Sequence, residues 1–180
     1  MKIVRVISSG MALWVISACG DGRDALHPTA PSLISQDLAS ASAAAPTETS
    51  GHFDAIVDFA TITLTPKGTN CLLQVSGRLV FSGTIVGTAN GRTSALEFAP
   101  CDQVAVNPPG TFEDVFKSVA VFDGTVDGQP AHANLQYMGR VQVGGAIAGR
   151  FVFSNGVSGA LDVNSIVAVG GEYHGSVVVH

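Results

Sequence analysis

Between Gly51 and His180, 18 glycines and 20 valines fall within 130 residues, and no stretch there carries a 3.6-residue apolar period. That combination restricts the fold more than any other feature of the chain. Glycine weakens a helix interior, while valine's branched Cβ is stiff and packs well on a pleated surface. Short runs of alternation broken by glycine therefore read as strands and turns. The candidate strands are His52–Thr65, Cys71–Ser82, Thr84–Phe98, Phe112–Val126, Ala131–Val143, Ile147–Asn155 and Glu172–Val179, with an eighth inside Ser158–Val169. The reading is all-β: a single antiparallel up-and-down barrel of about eight strands, because closure removes exposed edges.

One turn fixes a register. Val126-Asp127-Gly128-Gln129 carries the Asp-Gly pair that favours a two-residue type I′ hairpin. The turn sets Phe122 opposite Ala133, Ala120 opposite Leu135 and Ser118 opposite Tyr137 on one face. Asp123 then opposes His132 on the other face, with Val121 opposite Asn134 and Val119 opposite Gln136. A half-buried sheet requires this kind of separation. A three-residue loop at Gly144-Gly145-Ala146 would next pair Tyr137 with Phe153 and Gly139 with Phe151. The expected interior holds Phe116, Phe122, Leu135, Tyr137, Phe151 and Phe153, together with an odd-numbered row of Leu73, Val75, Leu79 and Phe81. Arg78 falls outside that row and so points outward. Glu97, between Leu96 and Phe98, points outward if those two point in.

The N-terminus carries an address. Lys2 and Arg5 precede an almost uncharged stretch from Val6 to Ala18, too short to span a bilayer core of roughly 30 Å as a lasting helix but suited to a secretory signal. Ile16-Ser17-Ala18-Cys19 resembles the lipobox of bacterial lipoproteins. In that family the cysteine is acylated and becomes the new N-terminus, and two or three acyl chains hold the protein on a membrane without a spanning helix. Residues 1–18 are thus expected to be a lipoprotein signal peptide and Cys19 the lipidation site. Gly20 after the cysteine, rather than aspartate, resembles the enterobacterial signal for the outer membrane, facing the periplasm.

The segment Gly20–Ser50 holds seven alanines, five serines, three prolines and three threonines, with no aromatic residue. It has too little apolar surface to offset its ordering entropy, so 19–50 reads as the lipidated cysteine and a flexible tether. Ser32 can cap a short helix over 32–45. The barrel domain is assigned to 51–180. The whole chain carries a formal charge of −5, with 14 acidic against 9 basic side chains, which argues against a nucleic-acid partner. Loss of Lys2 and Arg5 with the signal makes the mature chain more acidic still, so the expected partner is a membrane reached through the lipid anchor, not through a basic patch.

The runs F-S-G-T-I-V-G-T-A-N-G from Phe81, A-V-F-D-G-T-V-D-G from Ala120, G-G-A-I-A-G-R-F-V-F from Gly144 and G-G-E-Y-H-G-S-V-V-V from Gly170 resemble the allene-oxide-cyclase-like barrels. These include allene oxide cyclases and dirigent-like proteins. The resemblance covers most of 51–180 and rests on glycine-punctuated strand rhythm. It implies an eight-stranded barrel, often a homo-oligomer, whose cavity takes an apolar ligand and in some members steers cyclisation by shape. No matching catalytic motif occurs, so no catalytic residue is carried over.

Cys71 and Cys101 remain in the exported domain and are expected to form one disulfide. A hairpin turning at Gly83 sets Cys71 opposite a residue near 95, so the chain must fold back at Pro100 or a bulge must shift the ladder. His27, His52, His132, His174 and His180 form no metal-binding spacing, and no metal or cofactor is expected. Asp123 and His132 read as an exposed cross-strand pair, with an acid–base role the alternative. Tyr137 and Ser118 are the candidate polar anchors for a ligand, within an apolar wall of Phe116, Phe122, Phe151 and Phe153. Ala99–Gly110, with Pro100, Pro108 and Pro109, reads as a long loop at one barrel end, either a lid or a pinned connection. The expected function is binding of an apolar or amphipathic small molecule. The alternatives are a cyclase or isomerase acting by confinement, and a solid structural barrel.

Overall fold

The computed structural model describes residues 45–180; the signal segment, Cys19, His27 and the tether up to residue 44 lie outside the described residues. Eight strands follow in chain order: β1 Thr47–Lys67, β2 Asn70–Gly83, β3 Ile85–Glu97, β4 Asp114–Val126, β5 Gln129–Val141, β6 Ala146–Ser154, β7 Val157–Ile166 and β8 Gly170–Val179. One helical turn, α1 Cys101–Val104, lies between β3 and β4. Each strand pairs antiparallel with the next, and β8 closes the barrel on β1. The first strand begins at Thr47, so the last residues assigned to the tether are already part of the wall.

Asp127 (φ 48°) and Gly128 (φ 76°) make the expected turn, with both central residues at positive φ. Phe122 faces Ala133, Ser118 faces Tyr137 and Asp123 faces His132, as the hairpin predicts. The next hairpin departs from its expected register. Gln142 N–H bonds to the Ala146 carbonyl, leaving the loop Val143-Gly144-Gly145, and Tyr137 pairs with Phe151, Leu135 with Phe153 and Gly139 with Gly149. Gly144 (φ 95°) and Gly145 (φ 85°) thereby occupy the left-handed positions, which the expected loop would have forced in part onto Ala146. The pairing slips by two residues, an even number, so every side chain keeps its face.

Inner side chains fill the two ends of the barrel differently. At the end carrying the β2–β3, β4–β5 and β6–β7 turns, Phe81, Ile85, Phe122, Val126, Phe153, Val157 and Tyr173 are all buried. Phe81 and Phe122 meet edge to face with centroids 5.7 Å apart, and Phe122 meets Phe153 the same way at 5.8 Å. The Tyr173 hydroxyl reaches across to the β2–β3 turn, accepting from the Ile85 N–H at 3.1 Å and lying 3.0 Å from the Ser82 carbonyl as a donor. Gly51 makes room for that ring, since a methyl group there would collide with the Tyr173 hydroxyl and the Ser82 backbone. This end is closed.

At the other end the wall loosens. β1 pairs with β8 only as far as Asp54–Gly170, then continues on β2 alone to Lys67–Asn70. Between Asp58 and Thr63 its ladder is interrupted by a bulge that re-aims the strand. The β3–β4 connection turns back at Pro100 into α1, which brings Cys101 to Cys71 in a disulfide with Cα atoms 4.9 Å apart. The sequence separation of 30 residues corresponds to about 3–4 kcal/mol of chain-entropy stabilisation.

Candidate functional site

The open end encloses a cavity of about 160 Å³. Its wall is mostly small or apolar: Ala55, Val75, Leu79, Ala89, Ala95, Ala120, Leu135 and Val141 among others. Strand alternation sends these side chains inward, and their small size where the packed end has phenylalanines leaves the space unfilled. Phe53, Phe116 and Tyr137 form an aromatic shelf along it, with Phe116 and Tyr137 centroids 4.8 Å apart in an edge contact. Beside the cavity, under the β3–β4 connection, a second void of about 410 Å³ is lined by Phe59, Ile62, Val104, Pro109, Gly110 and Phe112. The two share Leu73, Glu97 and the Pro109-Gly110 segment as lining. The connection therefore forms part of the cavity's rim.

Of the residues expected to meet a ligand, Tyr137, Ser118 and Phe116 line this cavity, while Phe122, Phe151 and Phe153 are buried in the packed core outside its lining. Tyr137 and Ser118 are register neighbours but bond to other partners. The Tyr137 hydroxyl lies 2.8 Å from Ser165 Oγ on β7, and Ser118 Oγ lies 2.6 Å from Thr93 Oγ1 on β3. Burial pushes the Tyr137 phenol up to about 12, with the Ser165 hydrogen bond opposing the rise. Tyr137 thus acts as a neutral hydroxyl at any ordinary pH. Asp123 and His132 are paired on the outer face, each about two-thirds exposed, far from the burial that an acid–base site needs.

The chemistry in the cavity comes from an unexpected pair. Glu97 is not on the outer face: the β2–β3 register sets it opposite Cys71, in the inward row with Ala95 and Ala89. Leu96 and Phe98 are the outward residues, and exposed Phe98 is covered in part by the Arg140 guanidinium, 5.9 Å from its ring. Apolar neighbours therefore misreport the face at this strand end. Directly across from Glu97, on β4, stands Asp114. Both carboxyl groups are buried, Asp114 to 4% exposure, and both line the cavity. Among the described residues Asp114 Oδ1 has no hydrogen-bond partner.

Two carboxyl groups facing one another inside a protein do not both ionise freely. Burial, reinforced by the Glu97 charge, pushes Asp114 up to about 7, and burial raises Glu97 as well. Near neutral pH Asp114 can therefore give or take a proton at the cavity wall. Asp114 was within reach of sequence reasoning, because counting back by twos from Phe122 through Ala120, Ser118 and Phe116 ends on it. Among the described residues no group of three or more histidine, cysteine, aspartate or glutamate side chains converges as a metal would require. No protein-family model, no curated protein and no solved structure matches the chain.

Proposed function

We propose that the chain is a membrane-tethered lipoprotein of the bacterial cell envelope whose barrel binds an apolar or amphipathic small molecule. The anchor rests on Ile16-Ser17-Ala18-Cys19. The binding rests on one observation, the contrast between a solid aromatic end and a cavity of about 160 Å³ at the other. An apolar void of about 150 Å³ can hold a benzene-sized molecule. Burial of ligand surface there is worth about 25 cal/mol per Å², which suits a compact apolar body with one polar anchor. The likeness to allene-oxide-cyclase-like barrels points the same way.

Native mass spectrometry of the purified protein after incubation with envelope extract tests the binding. Retention of a small molecule supports it; a mass equal to the bare protein under conditions that preserve the fold counts against it. For the anchor, mass spectrometry of the N-terminal peptide should show an acylated Cys19. Cys19→Ser should move the protein from the membrane fraction to the soluble one.

A second reading, an isomerase, is favoured by the Glu97–Asp114 pair, since one carboxylate can remove a proton while its neighbour returns one. Turnover of a bound compound, lost in Asp114→Asn while binding persists, separates this reading from simple binding.

A further inference from the structure

We propose that the ligand of the open cavity carries a protonated amine, held at the cavity wall by the Glu97–Asp114 pair. This rests on the reading of the cavity as a binding site and names the class of molecule it takes. Three independent features converge. First, the cavity wall brings two carboxyl groups together across β3 and β4, at Cα partner positions. Secondly, Asp114 Oδ1 is buried with no partner among the described residues, an open acceptor at the cavity wall. Thirdly, among the described residues no cation answers these charges from inside. Arg78, the cationic residue at the cavity's edge, is exposed and belongs to the outward row of β2. Arg140, on the neighbouring β5, is committed on the outer face to Glu113 at 2.6 Å.

Of the hydroxyl groups on the inward rows, Ser118 is bonded to Thr93 and Tyr137 to Ser165, whereas the carboxyl pair retains an open acceptor. An ammonium group donates to Asp114 Oδ1 and offsets its charge, while its hydrocarbon part lies along Phe53, Phe116 and Tyr137. The aromatic faces add a cation–π attraction for the same charge. A carboxylic acid ligand would instead meet two buried groups of its own sign. Size agrees, because a single ring with a short aminoalkyl arm matches a cavity of about 160 Å³.

Protonation of the pair must oppose such a ligand. The titratable side chains lining the cavity with Asp114 are Glu97 from β3 and Tyr137 from β5, with Arg78 at the edge. Of these, Tyr137 stays neutral throughout the range used. Affinity for an amine should therefore increase as pH rises through the titration of the carboxyl pair.

The test is an NMR titration of the purified full-length protein with benzylamine, benzyl alcohol and toluene at pH 5.5 and pH 8. Benzylamine should bind about tenfold more tightly at pH 8 than at pH 5.5, and at pH 8 about tenfold more tightly than benzyl alcohol. Asp114→Asn should remove both differences and leave toluene binding within about twofold, with Glu97→Gln acting in the same direction. If toluene binds and benzylamine gains nothing over benzyl alcohol, the cation assignment is overturned while the cavity remains a binding site. If none of the three binds, the cavity reading falls and the assignment with it.

Discussion

The two ends of this barrel are built from the same strands and differ in what those strands send inward. β4 shows it in one element. Reading inward residues from its turn, Val126 and Phe122 fill the axis; reading on, Ala120, Ser118 and Asp114 leave it open, with Phe116 the one ring among them. β3 repeats the pattern, with Ile85 at the packed end and Thr93, Ala95 and Glu97 at the other. An eight-stranded barrel is just wide enough for side chains to fill, so replacing rings by methyl groups along part of its length creates a cavity. Dense packing and open space are thus placed at opposite ends, and the two buried carboxyl groups lie at the open one.

The contrast can be broken most directly by removing a ring from each end. Phe122→Ala, fully buried in the packed end, should destabilise the domain by about 3–5 kcal/mol in urea unfolding. Phe116→Ala, half-buried beside the existing cavity, should cost about 1–2 kcal/mol and enlarge the space. Equal losses would mean that the ends do not differ in packing.

The carboxyl pair offers a comparable effect with a pH signature. Asp114 rises from 3.8 to about 7 on folding. Between those values the native state holds a proton that the unfolded chain has released, so stability falls as pH rises from about 4 to about 7 and remains low above it. The loss is on the order of 4 kcal/mol. Asp114→Asn should flatten this slope and raise the melting temperature at pH 8 relative to the wild type. An unchanged pH profile would show that Asp114 is ionised in the folded state without cost.

Smaller effects sharpen the same division. Tyr173→Phe removes the hydroxyl that ties β8 to the β2–β3 turn and leaves the Ile85 N–H without its partner. It should cost about 1–3 kcal/mol by chemical denaturation while leaving ligand affinity at the far end unchanged. Asp123→Asn breaks the exposed pair with His132. A change within about 0.5 kcal/mol is expected, and a larger one would give that surface pair a structural role it does not show.

The β4–β5 hairpin was legible to the residue because Asp127-Gly128 admits essentially one turn and a turn sets every pair behind it. The β5–β6 hairpin was legible in its faces but not its register, since three adjacent small residues, Gly144-Gly145-Ala146, allow the loop to start at either of two positions. For the site, Tyr137, Ser118 and Phe116 could be read from alternation. Glu97 could not, because its flanking Leu96 and Phe98 suggest the opposite face, and only the pairing with β2 overrules them. The disulfide could be expected from two cysteines, and the reversal at Pro100 that makes it geometrically possible was one of the two routes the sequence offered, a shifted ladder being the other.

Sequence by itself determined the class of fold, the strand faces and a register for one hairpin, because glycine, β-branching and turn chemistry act over a few residues and leave local marks. Tertiary structure alone decided which end stays open and that Glu97 and Asp114 meet there. Whether a carboxyl group is solvated or buried depends on closure across strands far apart in the chain, and short-range patterning does not encode that distance.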